Sequence, residues 1–479
     1  MKQSLVRNAV YNMIYQLLST LFPLISAGYV ARIVAPEGVG TVASAQNVVS
    51  YFTMIAALGI SAYGTREIAR VGYDPDRMNR LFSELLTLNG IFTAAALIGY
   101  GMLITVCFPD SLLLYAAVGL ELVFNFINID WFYQGREEYG YITARSLFVK
   151  IISLAALFLF VKQKQDYILY ALIHSLGVGC NYCFNMVHAR KKVSLVFREL
   201  NLGKHIKAIA YLTLSIVAGS IYNKVDITML GILTDASAVA FYTNSHKVMG
   251  IILALVTSVS AVFLPRLSSC YQSDRKKYDA YLSEGLKIVL LLALPSCIGI
   301  VLVAEDMMLV LFGESFVPAA NVLRILAVFT IIKGVGDILC YQTIVSSGNE
   351  KMLIPARLAA GIANIILNAI MIPLYGSNGA AIASVAAELV VNGILLWRVR
   401  SITNIHVHKQ YCLSICFSGV GMGVIVAMIR QYLTSNMFAL ATSALAGILS
   451  YGLLLAVSHN EVICKILIWR KKRRNFGEE

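Results

Sequence analysis

The sequence predicts an all-α polytopic membrane protein with about 14 transmembrane helices. Of the 479 residues, 58% are hydrophobic and only 14% are charged, and the mean hydropathy is +0.73. A soluble protein of this length needs far more polar surface to cover its core. Apolar stretches that can cross roughly 30 Å of hydrocarbon as helices recur from end to end. Lysine and arginine residues concentrate in alternate connections between these stretches.

The apolar stretches are interpreted as membrane helices in chain order. The first one follows a short basic segment and is too long to be the apolar region of a cleavable signal. No connection between the stretches is long enough to form a folded domain. The predicted spans are residues 8–33, 41–62, 81–106, 111–131, 146–161, 167–187, 208–232, 237–264, 282–304, 318–345, 353–375, 379–397, 411–430 and 436–457.

The net charge of +13 follows the predicted topology. Of the 39 lysine and arginine residues, 31 fall in connections on one side, including three in 132–150, and four fall on the other side. The positive-inside rule makes the richer side cytoplasmic, so both termini are predicted to be cytoplasmic. One misplaced helix would reverse every later connection, so the alternation also supports the helix count. The charge therefore indicates contact with anionic lipids rather than with nucleic acid.

An internal repeat indicates how the helices are grouped. An offset of 200 residues aligns the second predicted helix with the eighth, and it places Gly40 on Ala240 and Val48 on Val248. Transporters are often built from repeated halves, so we predict two six-helix lobes followed by two additional helices. The predicted segments are lobes at 1–190 and 205–400, additional transmembrane helices at 410–457 and a basic cytoplasmic tail at 459–479.

Short motifs are spread over about the first 400 residues. They are NAVYNMIYQ (8–16), YVARIVAPEGVG (29–40), ALGISAYGTREIA (57–69), DWFYQGREE (130–138), DITMLG (226–231), LFGESF (311–316), NIILN (364–368) and IPLYGSNGAAIA (372–383). In this order the set resembles the polysaccharide transporter family. These are Wzx-type oligosaccharide flippases of the multidrug/oligosaccharidyl-lipid/polysaccharide exporter (MOP) superfamily. The last two predicted helices carry no such motif.

The resemblance implies a substrate and an architecture. The implied substrate is an oligosaccharide linked to polyprenyl diphosphate, which is built on the cytoplasmic face and flipped outward for surface polysaccharide biosynthesis. The implied architecture is two lobes around a central cavity that opens alternately to each side of a bacterial plasma membrane. Membrane lipids and polysaccharide-assembly enzymes are the expected partners.

Cationic residues inside the predicted helices are the candidates for binding the headgroup. A charge in hydrocarbon costs a few kcal/mol or more, so such a residue faces a cavity or a partner. A diphosphate carries about two negative charges and cannot cross hydrocarbon unaided, and arginine and lysine are the side chains that bind phosphate. The candidates are Arg32, Lys224, Lys247 and Lys333.

Several of these residues also have a purely structural interpretation. Arg32 lies at the outer end of its helix, from which it can reach the membrane interface. Lys333 and Asp337 are spaced i,i+4 and can pair with each other. Lys224 and Asp226 lie two residues apart, point in different directions and can pair with other helices.

Acidic, aromatic and amide residues complete the predicted site. Carboxylates inside helices are candidates for binding a coupling ion, H⁺ or Na⁺, and we expect no other cofactor and no structural metal. The acidic candidates are Asp226, Glu388, Glu121 and Asp130. The candidates for contact with sugars are Tyr11, Asn12, Tyr15 and Trp131.

Three other functions fit part of this pattern. A cation-coupled drug antiporter of the same superfamily needs carboxylates concentrated in the N-terminal lobe, where only Glu121 and Asp130 occur. A lipid II flippase has a similar substrate, and sequence alone separates it poorly. A membrane polysaccharide polymerase or ligase typically works with a large outer loop, and the outer loops here are short. Because no nucleophile motif or phosphate-binding glycine loop is visible, we predict a non-enzyme.

Overall fold

The computed structural model describes the backbone of residues 5–72, 74–196, 200–400, 402–403, 408–433 and 437–461. This part of the chain is built from helices and contains no strand. Ten stretches within it are long and apolar enough to cross a membrane. The all-α polytopic fold is therefore confirmed, whereas the count of fourteen spans stays a prediction.

The chain divides into two compact units, Met1–Ala240 and Phe241–Glu479. The helices that begin in the first unit are α1 (Leu5–Ala57), α2 (Ile60–Val71), α3 (Pro75–Cys107), α4 (Leu112–Phe124), α5 (Asp130–Gly135), α6 (Tyr139–Phe160), α7 (Tyr167–Ala189), α8 (Gly203–Leu233) and α9 (Ala236–Cys270). Those of the second unit are α10 (Arg275–Phe312), α11 (Ala319–Gly336), α12 (Thr343–Ser346), α13 (Leu353–Val399), α14 (Lys409–Tyr432) and α15 (Met437–Val457). The predicted six-helix lobes and the cavity between them stay predictions. The predicted tail lies outside the described residues from 462 onward.

Two long helices are broken where the hydropathy predicts a turn. Ala35 in α1 has φ 65° and ψ 168°, and the following Pro36 disfavours helical geometry at this position. Gly376 in α13 has φ 56° and ψ −130°, a conformation that glycine adopts without a Cβ clash. Each break falls in the short gap between two predicted spans, so these two gaps correspond to real interruptions of the helix.

Aspartate side chains cap two of the helices that follow turns. Asp74 accepts the backbone N–H of Arg77 at the start of α3, where Pro75 occupies the first helical position. Asp274 accepts the backbone N–H of Lys277 at the start of α10, and this hydrogen bond lowers the pKa of Asp274. Both caps satisfy donors that have no partner within the helix.

The connection between α7 and α8 is fixed along the start of α3. The Ser194 N–H donates to Asn79 Oδ1 and the Val196 N–H donates to Ser83 Oγ, both at 2.9 Å. Asn79 and Ser83 are spaced i,i+4 and therefore lie on one face of α3. Glu84, which follows Ser83 in α3, holds the end of the connection by accepting a backbone N–H in the same way.

Glu84 joins α3 to the start of α8, and its side chain is fully buried. It accepts the Asn201 N–H at 2.9 Å, and it lies 2.9 Å from Lys204 Nζ and 2.8 Å from His205 Nε2. The other ring nitrogen of His205 lies 2.7 Å from the Tyr63 hydroxyl in α2. A buried carboxylate requires such partners, so these contacts fix α2, α3 and α8 to one another.

Candidate functional site: intramembrane lysines

Lys224 lies in α8 and faces the second half of α1. Its ammonium donates to Ser50 Oγ at 2.7 Å. Next to it, Asn47 Nδ2 donates to Thr228 Oγ1 at 2.7 Å, and the Tyr51 hydroxyl lies 2.9 Å from the same oxygen. The half-buried lysine is thus held by a neutral hydroxyl next to further uncharged polar side chains, and the Glu121 carboxylate attracts it electrostatically without contacting it.

Three other candidates of the first unit, in α1, α4 and α8, have different surroundings. Asp226, two residues after Lys224, is buried with only 4% of its surface exposed. Arg32 in the first half of α1 is exposed, which agrees with a side chain that reaches toward the interface. Glu121 in α4 lies with its carboxylate 2.9 Å from His174 Nδ1 of α7.

Asp130 is the centre of a separate polar cluster in the first unit. Its Oδ1 accepts from Arg145 Nη1 at 3.1 Å and from Asn185 Nδ2 at 2.5 Å. The Arg145 side chain is only 5% exposed, so the ion pair neutralises a charge that would otherwise be costly to bury. The pair joins α5 to α6, and the asparagine adds α7.

The predicted sugar-facing residues have different surroundings. Trp131 is 2% exposed and packs against Phe82, with 5.6 Å between the ring centres. A core position leaves the indole no face for a sugar, so this prediction is corrected to a packing role. Tyr11 is half-buried, and its ring lies against Gly140 at the start of α6. The side chain of Asn12 lies outside the described residues.

Tyr15 lies beside Lys150, which was counted with the connection 132–150 although it also falls inside the predicted span 146–161. Lys150 is in α6, with its ammonium 5.9 Å from the centre of the Tyr15 ring and 5.8 Å from that of Phe22. It donates to Ser19 Oγ at 3.3 Å. The predicted fifth span begins at 146 because charged residues interrupt the apolar run, whereas α6 begins at Tyr139. The signal that could have identified Lys150 is the apolar sequence after it.

In the second unit, Lys247 in α9 is bonded within its own helix. Its ammonium donates to Asn244 Oδ1 at 3.0 Å, and Asn244 itself is fully buried. One turn of helix therefore holds the lysine through an amide oxygen that carries no net charge.

Lys333 and Glu388, predicted separately as a cation and a carboxylate of the site, lie together. The Lys333 ammonium in α11 is 3.0 Å from Glu388 Oε1 in α13. The predicted pairing of Lys333 with Asp337 is therefore wrong. Asn392, one turn after Glu388, donates to the Ile332 carbonyl at 2.9 Å and extends the contact between the two helices.

Three further cations of the second unit also have carboxylate partners. The ion pairs are Arg430–Asp306 at 2.7 Å, Arg324–Glu305 at 2.6 Å and Lys287–Glu461 at 2.5 Å. By contrast, within the described part of the chain no carboxylate lies within 4.0 Å of Lys150, Lys224 or Lys247. These three lysines share one arrangement, in which the ammonium is held by a single neutral oxygen.

The second unit also contains an apolar cavity of about 460 Å³ between α10, α14 and α15. Pro295 and Gly299 line it from α10, Met422 from α14, and Tyr451 and Leu455 from α15. Among the described residues, no charged side chain contributes to its lining. Such a cavity suits a hydrocarbon group rather than a polar one.

Comparison with known sequences identifies the relatives of this chain. Residues 5–271 match the family described as polysaccharide biosynthesis protein. A candidate O-antigen transporter of Escherichia coli (strain K12) is 22% identical over 414 residues, which cover 84% of this chain and 98% of the relative. The lipid II flippase MurJ of Thermosipho africanus (strain TCF52B) is 26% identical over 225 residues, 45% of this chain and 44% of the relative.

Solved structures share the fold. A lipid II flippase MurJ in an inward closed conformation has a TM-score of 0.78 and 15% identity, over 95% of this chain and 100% of that one. An inward-facing multidrug resistance MATE family transporter of the MOP superfamily has a TM-score of 0.61 and 15% identity, over 82% and 97% of the two chains. At these identities the likeness establishes the fold alone.

Proposed function

Because the chain belongs to the polysaccharide biosynthesis protein family, we propose that it is a flippase for a polyprenyl-diphosphate-linked oligosaccharide. It moves this lipid from the cytoplasmic to the outer face of the membrane by alternating access, as a step in surface polysaccharide biosynthesis. The similarity to an O-antigen transporter along nearly the whole of that relative supports a lipid-linked glycan as the substrate.

The observation that carries this proposal is the set of lysines held by neutral oxygens. An ammonium has three N–H donors, and a hydroxyl or amide oxygen uses one of them without supplying a negative charge. Lys224 and Lys247, bonded to Ser50 and Asn244, can therefore bind phosphate oxygens without first breaking an ion pair. Lys333 must first leave Glu388, so we assign it a lesser role in headgroup binding.

The physical task is to carry a diphosphate through the low-dielectric part of the membrane. Its two negative charges cannot enter hydrocarbon without compensation, and ammonium groups along the path supply it. Outward movement of the anion is also favoured by an inside-negative potential, by roughly 2.3 kcal/mol per charge per 100 mV. The transport step needs no covalent chemistry, so we propose that the protein is not an enzyme.

The prenyl chain needs an apolar environment while its headgroup crosses. The cavity between α10, α14 and α15 is lined by apolar and small side chains, and it can accept a segment of such a chain in place of bilayer lipid. The cations would bind the anionic headgroup and the apolar cavity would bind the prenyl chain, so each part of the substrate has a suitable region.

A coupling ion, H⁺ or Na⁺, is proposed to bind at a carboxylate. At Glu388, protonation would weaken its hold on Lys333, because the lysine would lose its counter-charge. Asp226, Glu121 and Asp130 are the other acidic candidates, and Asp130 already has Arg145 as a partner. Glu388 is therefore the carboxylate at which binding of an ion would most directly release a candidate lysine, Lys333.

We further propose that the protein lies in a bacterial plasma membrane with both termini in the cytoplasm. The excess of lysine and arginine in alternate connections supports this orientation. In this orientation the cytoplasmic connections face the enzymes that assemble the glycan on its lipid carrier, and these enzymes are the proposed partners.

Reconstitution tests the function directly. Purified protein is placed in phosphatidylethanolamine–phosphatidylglycerol vesicles that carry a fluorescent prenyl-diphosphate oligosaccharide in both leaflets. Glycosidase added outside the vesicles then cleaves the glycan of every labelled lipid in the outer leaflet. With the wild-type protein all of the label should become accessible, whereas empty vesicles should expose only about half. Equal accessibility in both preparations contradicts the proposal.

A lipid II flippase is the second candidate, because the lipid II flippase MurJ of Thermosipho africanus is 26% identical to this chain over 225 residues. The same vesicles loaded with fluorescent lipid II separate the two functions. Our proposal predicts that the oligosaccharide lipid is transported faster than lipid II. The reverse order of rates would identify the lipid II function.

A further inference from the structure

Lys150 lies deep within α6. It follows the start of the helix at Tyr139 by eleven residues, which corresponds to about 16 Å along the axis at ~1.5 Å per residue. A lysine at this depth does not simply extend into bulk water at the helix end, so its surroundings decide what its charge can do.

These surroundings come from one face of α1. Ser19 Oγ accepts from the Lys150 ammonium at 3.3 Å, and the rings of Tyr15 and Phe22 have their centres within 6 Å of it. Residues 15, 19 and 22 are spaced i, i+4 and i+7, the spacing of a single helical face. Two aromatic rings and one hydroxyl therefore surround the ammonium.

A comparison with Lys287 shows what is unusual about this arrangement. Lys287 also has its ammonium near an aromatic ring, 5.6 Å from the centre of Tyr411, but it is paired with the Glu461 carboxylate at 2.5 Å. For Lys150 no carboxylate lies within 4.0 Å among the residues the structure describes. Aromatic faces stabilise a cation only in part, so the positive charge is available for an anion.

Resting on the proposed flippase function, we infer that Lys150, Ser19, Tyr15 and Phe22 form a subsite for an anionic group of the transported headgroup. The ammonium binds a phosphate oxygen or a sugar carboxylate, and the Ser19 hydroxyl supplies a second donor. Tyr15 and Phe22 offer apolar ring faces to the C–H surface of the adjoining sugar. The anionic group comes either from the diphosphate or from an acidic sugar of the glycan.

Binding of two matched ligands tests the subsite. Full-length protein in detergent is titrated with short-chain prenyl-diphosphate glycans of equal length, one neutral and one with a uronic acid. Because a charge-assisted hydrogen bond is lost, Lys150→Met should weaken binding about tenfold, whereas Lys150→Arg should bind within about threefold of the wild type. Lys287→Met is the matched control and should bind like the wild type.

The two ligands distinguish the two sources of the anion. Weaker binding of both ligands by Lys150→Met assigns the subsite to the diphosphate, and weaker binding of only the uronic acid ligand assigns it to an acidic sugar. Wild-type affinity for both ligands overturns the inference while the flippase function stands. If Lys150→Met does not fold, Lys150→Gln takes its place. Failure of the wild-type protein to bind either ligand, or to transport in vesicles, overturns the function as well.

Discussion

The Lys333 ammonium lies 3.0 Å from the Glu388 carboxylate, and the two side chains are 39% and 2% exposed. The pair is thus asymmetric, because the lysine side chain is partly exposed and the carboxylate is enclosed. Removing the lysine leaves a buried negative charge without this partner, whereas removing both charges does not. The two changes should therefore have unequal effects on stability.

Lys333→Met should lower the free energy of unfolding by about 2 kcal/mol, because Glu388 loses a charged hydrogen bond in a buried position. The double variant Lys333→Met/Glu388→Gln should recover at least half of that loss. Thermal unfolding in detergent, followed by intrinsic fluorescence, measures both. A double variant that is less stable than Lys333→Met would show that Glu388 is held mainly by its other neighbours.

Lys247→Ala should abolish export of the surface glycan while the folded protein remains in the membrane. The lysine has only the Asn244 amide oxygen as a partner among the described residues, so its loss leaves no unpaired carboxylate and stability should change little. Surface glycan is measured with a specific lectin, and the protein is measured by detergent extraction and gel filtration. Lys164→Ala, an exposed lysine before α7, is the control. Normal surface glycan in Lys247→Ala would remove this residue from the transport path.

The sequence alone predicted the all-α membrane fold, because the length and apolar composition of a stretch are enough to identify a membrane-spanning helix. The breaks at Ala35 and Gly376 lie in short gaps between apolar runs, and such gaps can be read directly. The start of α6 was placed too late, because Arg145 looks like a loop residue when its partner is unknown, and Lys150, although inside the predicted span, was counted with the preceding connection. In the structure, Asp130 neutralises one and aromatic rings surround the other.

Pairing between distant helices was beyond the sequence. The i,i+4 spacing of Lys333 and Asp337 predicts a local pair, but the lysine contacts Glu388 in another helix. Likewise Trp131, in a motif with family resemblance, was predicted to face sugars and is buried against Phe82. Charge and aromatic character identify candidates, whereas packing decides which of them face substrate.

Glu84→Ala should destabilise the first unit by about 3 kcal/mol or more. The carboxylate is fully buried, and its removal leaves His205 and the Asn201 N–H without their acceptor, a loss typical of buried ion pairs. Glu67→Ala is the control, because its partners Arg66 and Arg70 are exposed and such surface pairs contribute ~1 kcal/mol or less. Chemical denaturation of the purified protein compares the two. Equal losses would show that the Glu84 contacts contribute little to stability.

Glu138, in the turn before α6, should make stability depend on acid pH. Burial raises its pKa, but hydrogen bonds from Lys192 and from Arg136, the latter at 2.8 Å, outweigh burial and lower the pKa below the usual 4.5. A lowered pKa means that the stabilisation is present above pH 4.5 and is lost as pH falls through the lower, folded-state value. Thermal unfolding between pH 7 and pH 3 should therefore show a smaller loss in Glu138→Gln than in the wild type. Glu137→Gln, at the exposed neighbouring residue, should follow the wild-type curve.

Gly40→Ala should destabilise the first unit because two backbones meet at this position. A Cβ on Gly40 in α1 would overlap the backbone carbonyl of Ala236 at the start of α9, and it would lie 3.1 Å from the Ala240 nitrogen. A carbonyl cannot rotate away as a flexible side chain does, so the helices must separate, at a cost of about 1–3 kcal/mol. The control is Gly101→Ala in α3, where nothing lies within 4 Å of the added carbon. There the higher helix propensity of alanine should leave the protein as stable as the wild type or up to ~1 kcal/mol more stable. Melting temperatures in the same detergent compare the two variants, and a Gly40→Ala protein that melts with the wild type would show that α1 and α9 are not in close contact.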